Sequence, residues 1–426
     1  MASEDVLPQH VDDTDEGVKE EHEEHEEKVD EVKEEQGADQ DTPAALAEEQ
    51  ALILDACERR DIDDLGRLAL LRGGFLSDAI RCRAWPVLLG FEVDKLGDPV
   101  EEGSDSWRQL PRHRDEDQVK LDVDRSFVYY PSDNTPEQLA LKKTELLDLI
   151  TEVLRRQPYL CYFQGYHDIC QVILLVLPPA ARAPAMSRLS ALRIRDFMLP
   201  NLAPAIAQLR LIPDILRAAD PALWRHLSRV EPYFALADTL TMFAHNVPRY
   251  GDISRLFDAL LAREQVFGLY AFAAIVLSRR PELFALDPVD DADMLHFTLS
   301  KLPAELDLEA VISDAARLLA DHPPESLPSW RRVSRASVLR TDRGGAAACR
   351  SQTLDDGHAF FDRQLSELRW AERRDALLRV AWSNRAVILA VLVGVGAVYL
   401  RRTSFWTAIV DTVWRGVARG TGTVDG

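Results

Sequence analysis

Residues 135–158 read TPEQLALKKTELLDLITEVLRRQP, and this stretch decides the class of fold. Thr135-Pro136 is typical of a helix start, because proline is tolerated at the first helical position. Apolar side chains then recur every three or four residues and form a broad stripe that only Lys142 interrupts. Pro158 cannot continue a helix and ends it. The stretch therefore predicts a long amphipathic helix with one face in a core.

Further helical patterns lie on both sides of this stretch. Thr42-Pro43 repeats the start signal, and Asp252 can cap a helix whose apolar residues follow at helical spacing. The nearly all-apolar run from Val266 to Leu277 is typical of a helix in the middle of a bundle. We find no clear period-2 alternation and no hairpin signal between β-branched stretches. The expected fold class is all-α.

The net charge of −21 over 426 residues is concentrated at the N-terminus. Residues 1–43 contain 18 Asp or Glu against three Lys, and few apolar residues that could offset the entropy of ordering. We expect this segment to be a disordered acidic arm, with a solubilising role favoured over a regulatory contact. The remainder is nearly balanced and lacks a concentrated basic surface. Nucleic acid is therefore not an expected partner.

Several kinds of chemistry have no matching pattern in the chain. There is no phosphate-binding loop of the G-x-x-x-x-G-K-[ST] type and no G-x-S-x-G nucleophile motif, so we expect the chain to bind no nucleotide of its own. The five cysteines form no C-x-x-C pair and are interpreted as free thiols in a reducing compartment. His22 and His25, the one closely spaced pair of histidines, lie in the acidic arm. We expect no metal and no cofactor.

Two short segments carry polar residues that packing does not readily explain. Residues 119–131 read VKLDVDRSFVYYP and place Arg125 beside Asp122 and Asp124, just ahead of an aromatic cluster. A surface ion pair is the usual explanation for such an arginine. Residues 159–169 read YLCYFQGYHDI, in which Gln164-Gly165 would ordinarily be a turn, with His167 or Asp168 capping the next helix. Each segment alone is therefore weak evidence for a functional site.

Together the two segments resemble a known pair of motifs. Val119-x-x-Asp122-x-x-Arg125 is similar to the I-x-x-D-x-x-R motif, and Tyr162-x-Gln164-Gly165 to the Y-x-Q-G motif, of TBC-domain GTPase-activating proteins for Rab GTPases. Upstream, Arg81-x-x-x-Trp85 resembles the R-x-x-x-W motif of the same family. The three motifs occur in the family's order, and the resemblance covers roughly residues 60–320.

The resemblance implies a TBC-type helical domain, placed at 44–325, that acts on a Rab GTPase in its GTP-bound state. It implies that Arg125 is an arginine finger and Gln164 a glutamine finger, with Asp122 supporting the arginine loop. Arg81 and Trp85 are expected to be structural, and Tyr162 and Gly165 complete the glutamine motif. GTP and Mg²⁺ would be brought by the Rab, so the chain would supply residues in trans rather than hydrolyse GTP itself.

The C-terminal part differs in composition from the rest. We predict a basic linker at 326–357, a polar juxtamembrane helix at 358–385, a transmembrane segment at 386–402 and a short tail at 403–426. The transmembrane prediction depends on 15 uncharged residues at 386–400, for which a buried core helix is the alternative. This segment, and Gln-Gly-Tyr-His in place of the commoner Gln-Gly-Met-Asn, resemble the endoplasmic-reticulum-anchored TBC proteins that act on the Rab of ER-to-Golgi transport.

The resulting hypothesis is a Rab GTPase-activating protein at an endoplasmic-reticulum or early secretory membrane, with a single C-terminal anchor and the bulk of the chain in the cytosol. Two rival hypotheses remain open. One is a catalytically idle adaptor with a TBC fold, which would need neither Arg125 nor Gln164. The other is a helical membrane tether unrelated to GTPases.

Overall fold

The helix predicted after Thr135 is present in the computed structural model as Pro136–Arg156. Its start is a capping box, in which the Thr135 side chain accepts from the N–H of Gln138 and the Gln138 side chain accepts from the N–H of Thr135. The predicted apolar stripe is buried, including Leu146, Ile150, Val153 and Leu154. The 3.6-residue period thus identified both the element and its buried face.

The structure describes residues 43–93, 106–131, 134–402 and 405–420. Within these ranges every regular element is a helix, so the predicted all-α class is confirmed. The first eleven α-helices are α1 (Pro43–Arg59), α2 (Ile62–Leu68), α3 (Asp78–Leu88), α4 (Glu116–Asp124), α5 (Pro136–Arg156), α6 (Tyr166–Val176), α7 (Pro179–Arg188), α8 (Ala203–Leu209), α9 (Leu211–Ala219), α10 (Pro221–His226) and α11 (Leu236–Leu240). The remaining ones are α12 (Tyr250–Ala262), α13 (Phe267–Ser278), α14 (Arg280–Phe284), α15 (Ala292–Leu299), α16 (Leu308–Asp321), α17 (Val338–Thr341), α18 (Ala346–Ser351), α19 (Leu354–Ser383), α20 (Arg385–Arg402) and α21 (Phe405–Gly420). Short 3₁₀ turns lie at Ser106–Gln109, Arg195–Met198, Pro232–Ala235, Pro324–Ser326 and Pro328–Arg332, and a π turn lies at Leu189–Arg193.

The core is organised around α13, the helix predicted from its all-apolar sequence. Phe267, Tyr270 and Ala273 on this helix are fully buried, and α16, α9 and α11 pack against it. A second group of contacts joins α5 to α4, α6 and α7. Helix α6 also contacts α3 and α12, and α12 in turn contacts α16, so α6 connects the two groups. Helix α6 is therefore held by several neighbours, and its N-terminal end forms part of the site described below.

The prediction that 326–357 is a linker is wrong. This interval contains the short helices α17 and α18, and Trp330, Val338 and Leu339 in it are buried in the core. Buried polar groups secure it, because the Asp196 carboxylate accepts from the N–H of Val338 and from the Gln364 amide. Apolar residues on very short helices have no long period, so the sequence pattern did not reveal them.

None of the described helices has both the length and the apolar character needed to cross a membrane. The transmembrane segment at 386–402 therefore stays a prediction. Helix α20 covers this segment in 18 residues and includes arginines at 385, 401 and 402. The predicted juxtamembrane helix lies within α19, and the predicted tail contains α21. The predicted disordered arm, apart from Pro43, lies outside the described residues.

The helix predicted to be capped by Asp252 begins earlier, at Tyr250. Asp252 lies in its first turn and accepts from Arg249 Nε at 2.6 Å, so its carboxylate pairs with a side chain rather than capping the backbone. The apolar residues of this helix, α12, are buried as the pattern predicted.

A buried carboxylate on α12 binds α3 and the segment before it. Asp258 is fully buried and accepts from Arg81 Nε at 3.0 Å and from Trp85 Nε1 at 2.8 Å. It also accepts from the N–H of Phe75 at 3.0 Å. Arg81 and Trp85 are therefore buried parts of the scaffold that bind Asp258, a partner that sequence analysis did not identify.

We expect Asp258→Ala to destabilise the domain by about 3–5 kcal/mol, because it leaves the Arg81 guanidinium buried without its counter-ion. Urea unfolding followed by circular dichroism measures the loss. Asp314→Ala is the matched control, because it removes an exposed ion pair with Arg317 and should change stability by less than about 1 kcal/mol. Equal stability of the two variants would contradict the assigned role of Asp258.

Candidate functional site

Arg125 lies at the point where α4 ends. The helix stops at Asp124, and the Arg125 N–H donates to the Asp122 carbonyl in a final tight turn. The Arg125 side chain is 71% exposed, and its Nη2 donates to Asp122 Oδ1 at 3.0 Å. Its Nε donates to the Leu121 carbonyl at 3.3 Å. The guanidinium is thus directed by its own helix end while it stays open to solvent.

The loop after Arg125 is held in an uncommon backbone conformation. Phe127 is buried and has φ of +62°, which costs a residue with a side chain about 1–3 kcal/mol. Gln171 on α6 stabilises this loop with two hydrogen bonds. Its Oε1 accepts from the Phe127 N–H at 2.9 Å, and its Nε2 donates to the Tyr130 carbonyl at 3.3 Å. Gln171 was not singled out by sequence analysis.

Asp122 forms hydrogen bonds with residues of both sequence motifs. It is 2% exposed and accepts from Gln118, from Arg125 and, at 2.9 Å, from the hydroxyl of Tyr162. Burial, and then the adjacent Asp122 carboxylate, raise the pKa of Tyr162, so the hydroxyl keeps its proton and remains a donor. The Tyr162 of the second motif therefore supports the arginine loop of the first.

Gln164 precedes the first turn of α6, where Gly165 occupies the N-cap position with φ of +99°. A Cβ at Gly165 would lie 2.6 Å from Thr241 Cγ2, so glycine is required both for the backbone angle and for the close approach. The expected capping by His167 or Asp168 does not occur. The side chain of Gln164 is exposed. The turn thus presents the amide to solvent and packs its backbone against Thr241.

Arg125 and Gln164 line the same cleft, which has a volume of about 240 Å³. Asp122 also lines it, whereas Arg81 and Trp85 lie in the scaffold described above. Tyr162 and Gly165 support the cleft through Asp122 and Thr241 respectively. The structure therefore brings together the two residues that sequence analysis ranked first. Among the described residues, no group of three or more His, Cys, Asp or Glu is placed to hold a metal ion.

The profile of the Rab-GTPase-TBC domain matches residues 78–284, the part that contains the cleft and the Asp258 scaffold. The GTPase-activating protein gyp10 of Schizosaccharomyces pombe is 33% identical over 313 residues, which cover 72% of this chain and 82% of gyp10. The chain belongs to the TBC-domain family of Rab GTPase-activating proteins. TBC1 domain family member 20 of Homo sapiens is 32% identical over 339 residues, covering 78% and 81% of the two chains. The crystal structure of the Ypt/Rab-GAP domain of Gyp1p has a TM-score of 0.50 at 16% identity and covers 63% of this chain and 98% of that one, which shows the same fold.

The TBC domain holds three further polar residues at the cleft that sequence analysis did not assign. His167 and Asp168 are on α6, and His245 Nδ1 lies 2.9 Å from Asp168 Oδ2. Burial lowers the pKa of His167, whereas the hydrogen bond to Asp168 raises the pKa of His245. The pairing joins residues that are far apart along the chain, so no local spacing could have indicated it.

In this TBC domain we expect Gly165→Ala to lower stability by about 1–3 kcal/mol, because it forces a side chain into a positive-φ position against Thr241. Urea unfolding measures the change. Thr241→Ser in the same chain removes Cγ2 and should restore part of the loss, leaving the cost of the backbone angle.

Gly66→Ala is the control for that experiment, because a Cβ there meets nothing within 4 Å and the residue lies inside α2. It should stabilise the domain by about 0.5–1 kcal/mol. Stability of Gly165→Ala equal to wild type would show that the turn accepts a side chain.

Proposed function

We propose that this chain accelerates GTP hydrolysis by a GTP-bound Rab GTPase and that Arg125 and Gln164 are the residues it supplies. The observation that carries the proposal is that these two exposed side chains line one cleft while buried contacts hold their backbones. Phosphoryl transfer needs charge stabilisation and a positioned water rather than covalent help from protein. GTP and Mg²⁺ are brought by the Rab, and this chain contributes no cofactor.

The role proposed for Arg125 follows from its side-chain chemistry. A guanidinium is planar and donates in a fork, so it can reach two oxygens around the transferring phosphoryl group. Its exposure leaves it free to enter a partner's active site, and its contact with Asp122 is confined to one nitrogen and one oxygen at 3.0 Å. Arg125 can therefore give up its hydrogen bond to Asp122 and bind the γ-phosphate of the GTP instead.

The role proposed for Gln164 depends on the two functions of an amide. The carbonyl oxygen can accept from the attacking water while the NH₂ group donates to a phosphate oxygen. In many GTPases the partner's own switch glutamine orients the water. Delivery of Gln164 from this chain would take over that role.

Apolar side chains surround the arginine and provide a docking surface for the Rab. Leu121, Val128 and Tyr129 are each more than half exposed and flank Arg125 along the chain. Exposed apolar groups beside a polar cleft are typical of a protein-binding site. An idle adaptor would also need such a surface, but it would not need Arg125 and Gln164 in the cleft.

We further propose that the chain works at an endoplasmic-reticulum or early secretory membrane and contacts that membrane through residues 386–402. The proposal is supported by the resemblance described above and by the apolar side chains that α20 exposes. Leu389, Val391, Leu392 and Val395 are each more than half exposed. Burial of such groups against lipid is favourable in proportion to their area.

We expect Arg125→Ala to lower the stimulated GTP hydrolysis by the Rab by about 10³-fold or more, the usual effect of losing an arginine finger. Arg125→Lys should restore little, because an ammonium group cannot fork. Single-turnover phosphate release from GTP-loaded Rabs measures the rate. Arg317→Ala is the matched control, since Arg317 is 68% exposed and pairs with an aspartate three residues away, as Arg125 does. Rates of Arg125→Ala close to those of the control would remove Arg125 from the mechanism.

We expect Gln164→Ala to lower the rate by about 10²-fold or more, because the attacking water loses its orienting group. Alanine in place of the Rab's own switch glutamine should cost comparatively little, since Gln164 already occupies that role. The four combinations of wild-type and mutant partners are compared by single-turnover hydrolysis. Loss with the Rab variant, together with normal activity of Gln164→Ala, would show that Gln164-Gly165 is only a turn.

Membrane contact is tested by flotation with phosphatidylcholine vesicles. We expect the full chain to float and a chain ending at residue 384 to stay at the bottom of the gradient, because the shortened chain lacks the exposed apolar side chains of α20. Stimulated hydrolysis in solution should be the same for both. Failure of the full chain to float would contradict the proposed contact.

A further inference from the structure

A strained turn lies directly against the glutamine motif. Residues 241–245 follow α11, and within them Met242 and Phe243 have φ of +50° and +66° while being almost fully buried. Each such residue costs about 1–3 kcal/mol and persists only where the surroundings enforce it. The turn ends at His245, whose side chain is 58% exposed and lines the cleft. The backbone thus adopts an unfavourable path that delivers an imidazole to the site.

Two contacts hold this turn to the start of α6. Thr241 Cγ2 occupies the space beside Gly165, and His245 Nδ1 lies 2.9 Å from Asp168 Oδ2. The turn is itself closed by Thr241, whose Oγ1 accepts from the His245 N–H at 3.4 Å and donates to the Ala237 carbonyl at 2.8 Å. The Gln164-Gly165 turn therefore lies between Thr241 and the first turn of α6. The hydrogen bond between His245 and Asp168 joins the 241–245 turn to that first turn of α6.

We propose that His245 is a positioning residue for Gln164, acting through its hydrogen bond to Asp168. The bond fixes the 241–245 turn against the N-terminus of α6 and so fixes the direction in which Gln164 leaves the backbone. A glutamine that must orient one water molecule loses most of its effect when it is displaced by about 1 Å. This inference rests on the proposed function.

The charges around His245 set the sign of its pH dependence. Asp168 and His167 face it from α6, Asp238 faces it from α11, and Lys301 faces it from the segment after α15. The hydrogen bond to Asp168 raises the pKa of His245, and Asp238 acts in the same direction, while burial and Lys301 oppose them. The His245–Asp168 contact is thus an ion pair while His245 is protonated. It weakens as the pH rises through the pKa of His245, although a neutral Nδ1–H still donates. We therefore expect kcat to fall modestly over that range.

The test is a double-mutant cycle between His245→Ala and Gln164→Ala, read as single-turnover hydrolysis by a responsive Rab. In the wild-type background, His245→Ala should lower kcat about tenfold and leave KM within about twofold. In the Gln164→Ala background it should cost nothing further, because there is no glutamine left to position. In an Arg125→Ala background the tenfold loss should persist.

His245→Asn is the rescue variant, since the amide nitrogen of asparagine can donate to Asp168 in place of Nδ1. It should restore most of the rate and remove the decline of kcat with pH. It also keeps the test decisive if His245→Ala fails to fold. His296→Ala is the matched control, because His296 is exposed on α15 and does not line the cleft. It should keep the wild-type rate and pH profile.

Three outcomes would overturn the inference. These are an equal loss from His245→Ala with and without Gln164, a change in KM alone, and no rescue by His245→Asn. Failure of the proposed function is distinguishable, because in that case neither wild type nor His296→Ala would stimulate any Rab. That result would overturn both proposals together.

Discussion

The buried carboxylate of Asp258 is the interaction on which the arrangement of the domain depends. A carboxylate removed from water is costly unless its oxygens are satisfied, and here Arg81, Trp85 and the N–H of Phe75 satisfy them. These donors come from α3 and the segment before it, whereas Asp258 comes from α12, far along the chain. Separation of α3 from α12 would leave the Asp258 carboxylate and the Arg81 guanidinium without each other as partners. Since α6 packs against both helices, their fixed arrangement also limits the movement of α6.

The site combines exposed functional groups with buried supports. Arg125 and Gln164 project into solvent, while Asp122, Tyr162 and Gln171 are buried or half-buried behind them. The proposed function requires this exposure, because both residues would have to enter another protein's active site. Burial of the supports is required because a flexible loop would lose conformational entropy on docking and so weaken the contact. Tyr162 matters most in this respect, since its hydroxyl joins the glutamine motif to Asp122 and thereby to Arg125.

The sequence predicted what depends on local order and missed what depends on distant contacts. Periodicity identified α5 and α13, and motif resemblance identified the family and led to the proposal for Arg125 and Gln164. Three sets of contacts join residues that are widely separated in the chain. They are the hydrogen bonds to Asp258, the hydrogen bonds from Gln171 to the loop after Arg125, and the His245–Asp168 pair. No rule of sequence spacing connects such residues. The error at 326–357 has the same origin, because its arginines suggested a solvated linker while Trp330 and Val338 find their partners in a distant part of the core. The membrane prediction depends on 15 uncharged residues at 386–400, and it stays a prediction because arginines lie at both ends of α20.

Three of the five non-glycine residues with positive φ in the described part of the chain lie at the cleft or behind it. Phe127 and Gly165 adjoin the two proposed fingers, and Met242 and Phe243 lie behind them, all with positive φ. For the three residues other than glycine this amounts to several kcal/mol in a domain whose net stability is of the order of 10 kcal/mol. Such a cost persists only where the surrounding structure enforces it, and these residues adjoin the backbone of the two proposed fingers. Under the proposed function the chain contributes no covalent chemistry, so it accelerates hydrolysis only by holding polar groups where charge develops. The folding energy that holds Arg125 and Gln164 in place would then replace energy that docking would otherwise have to supply.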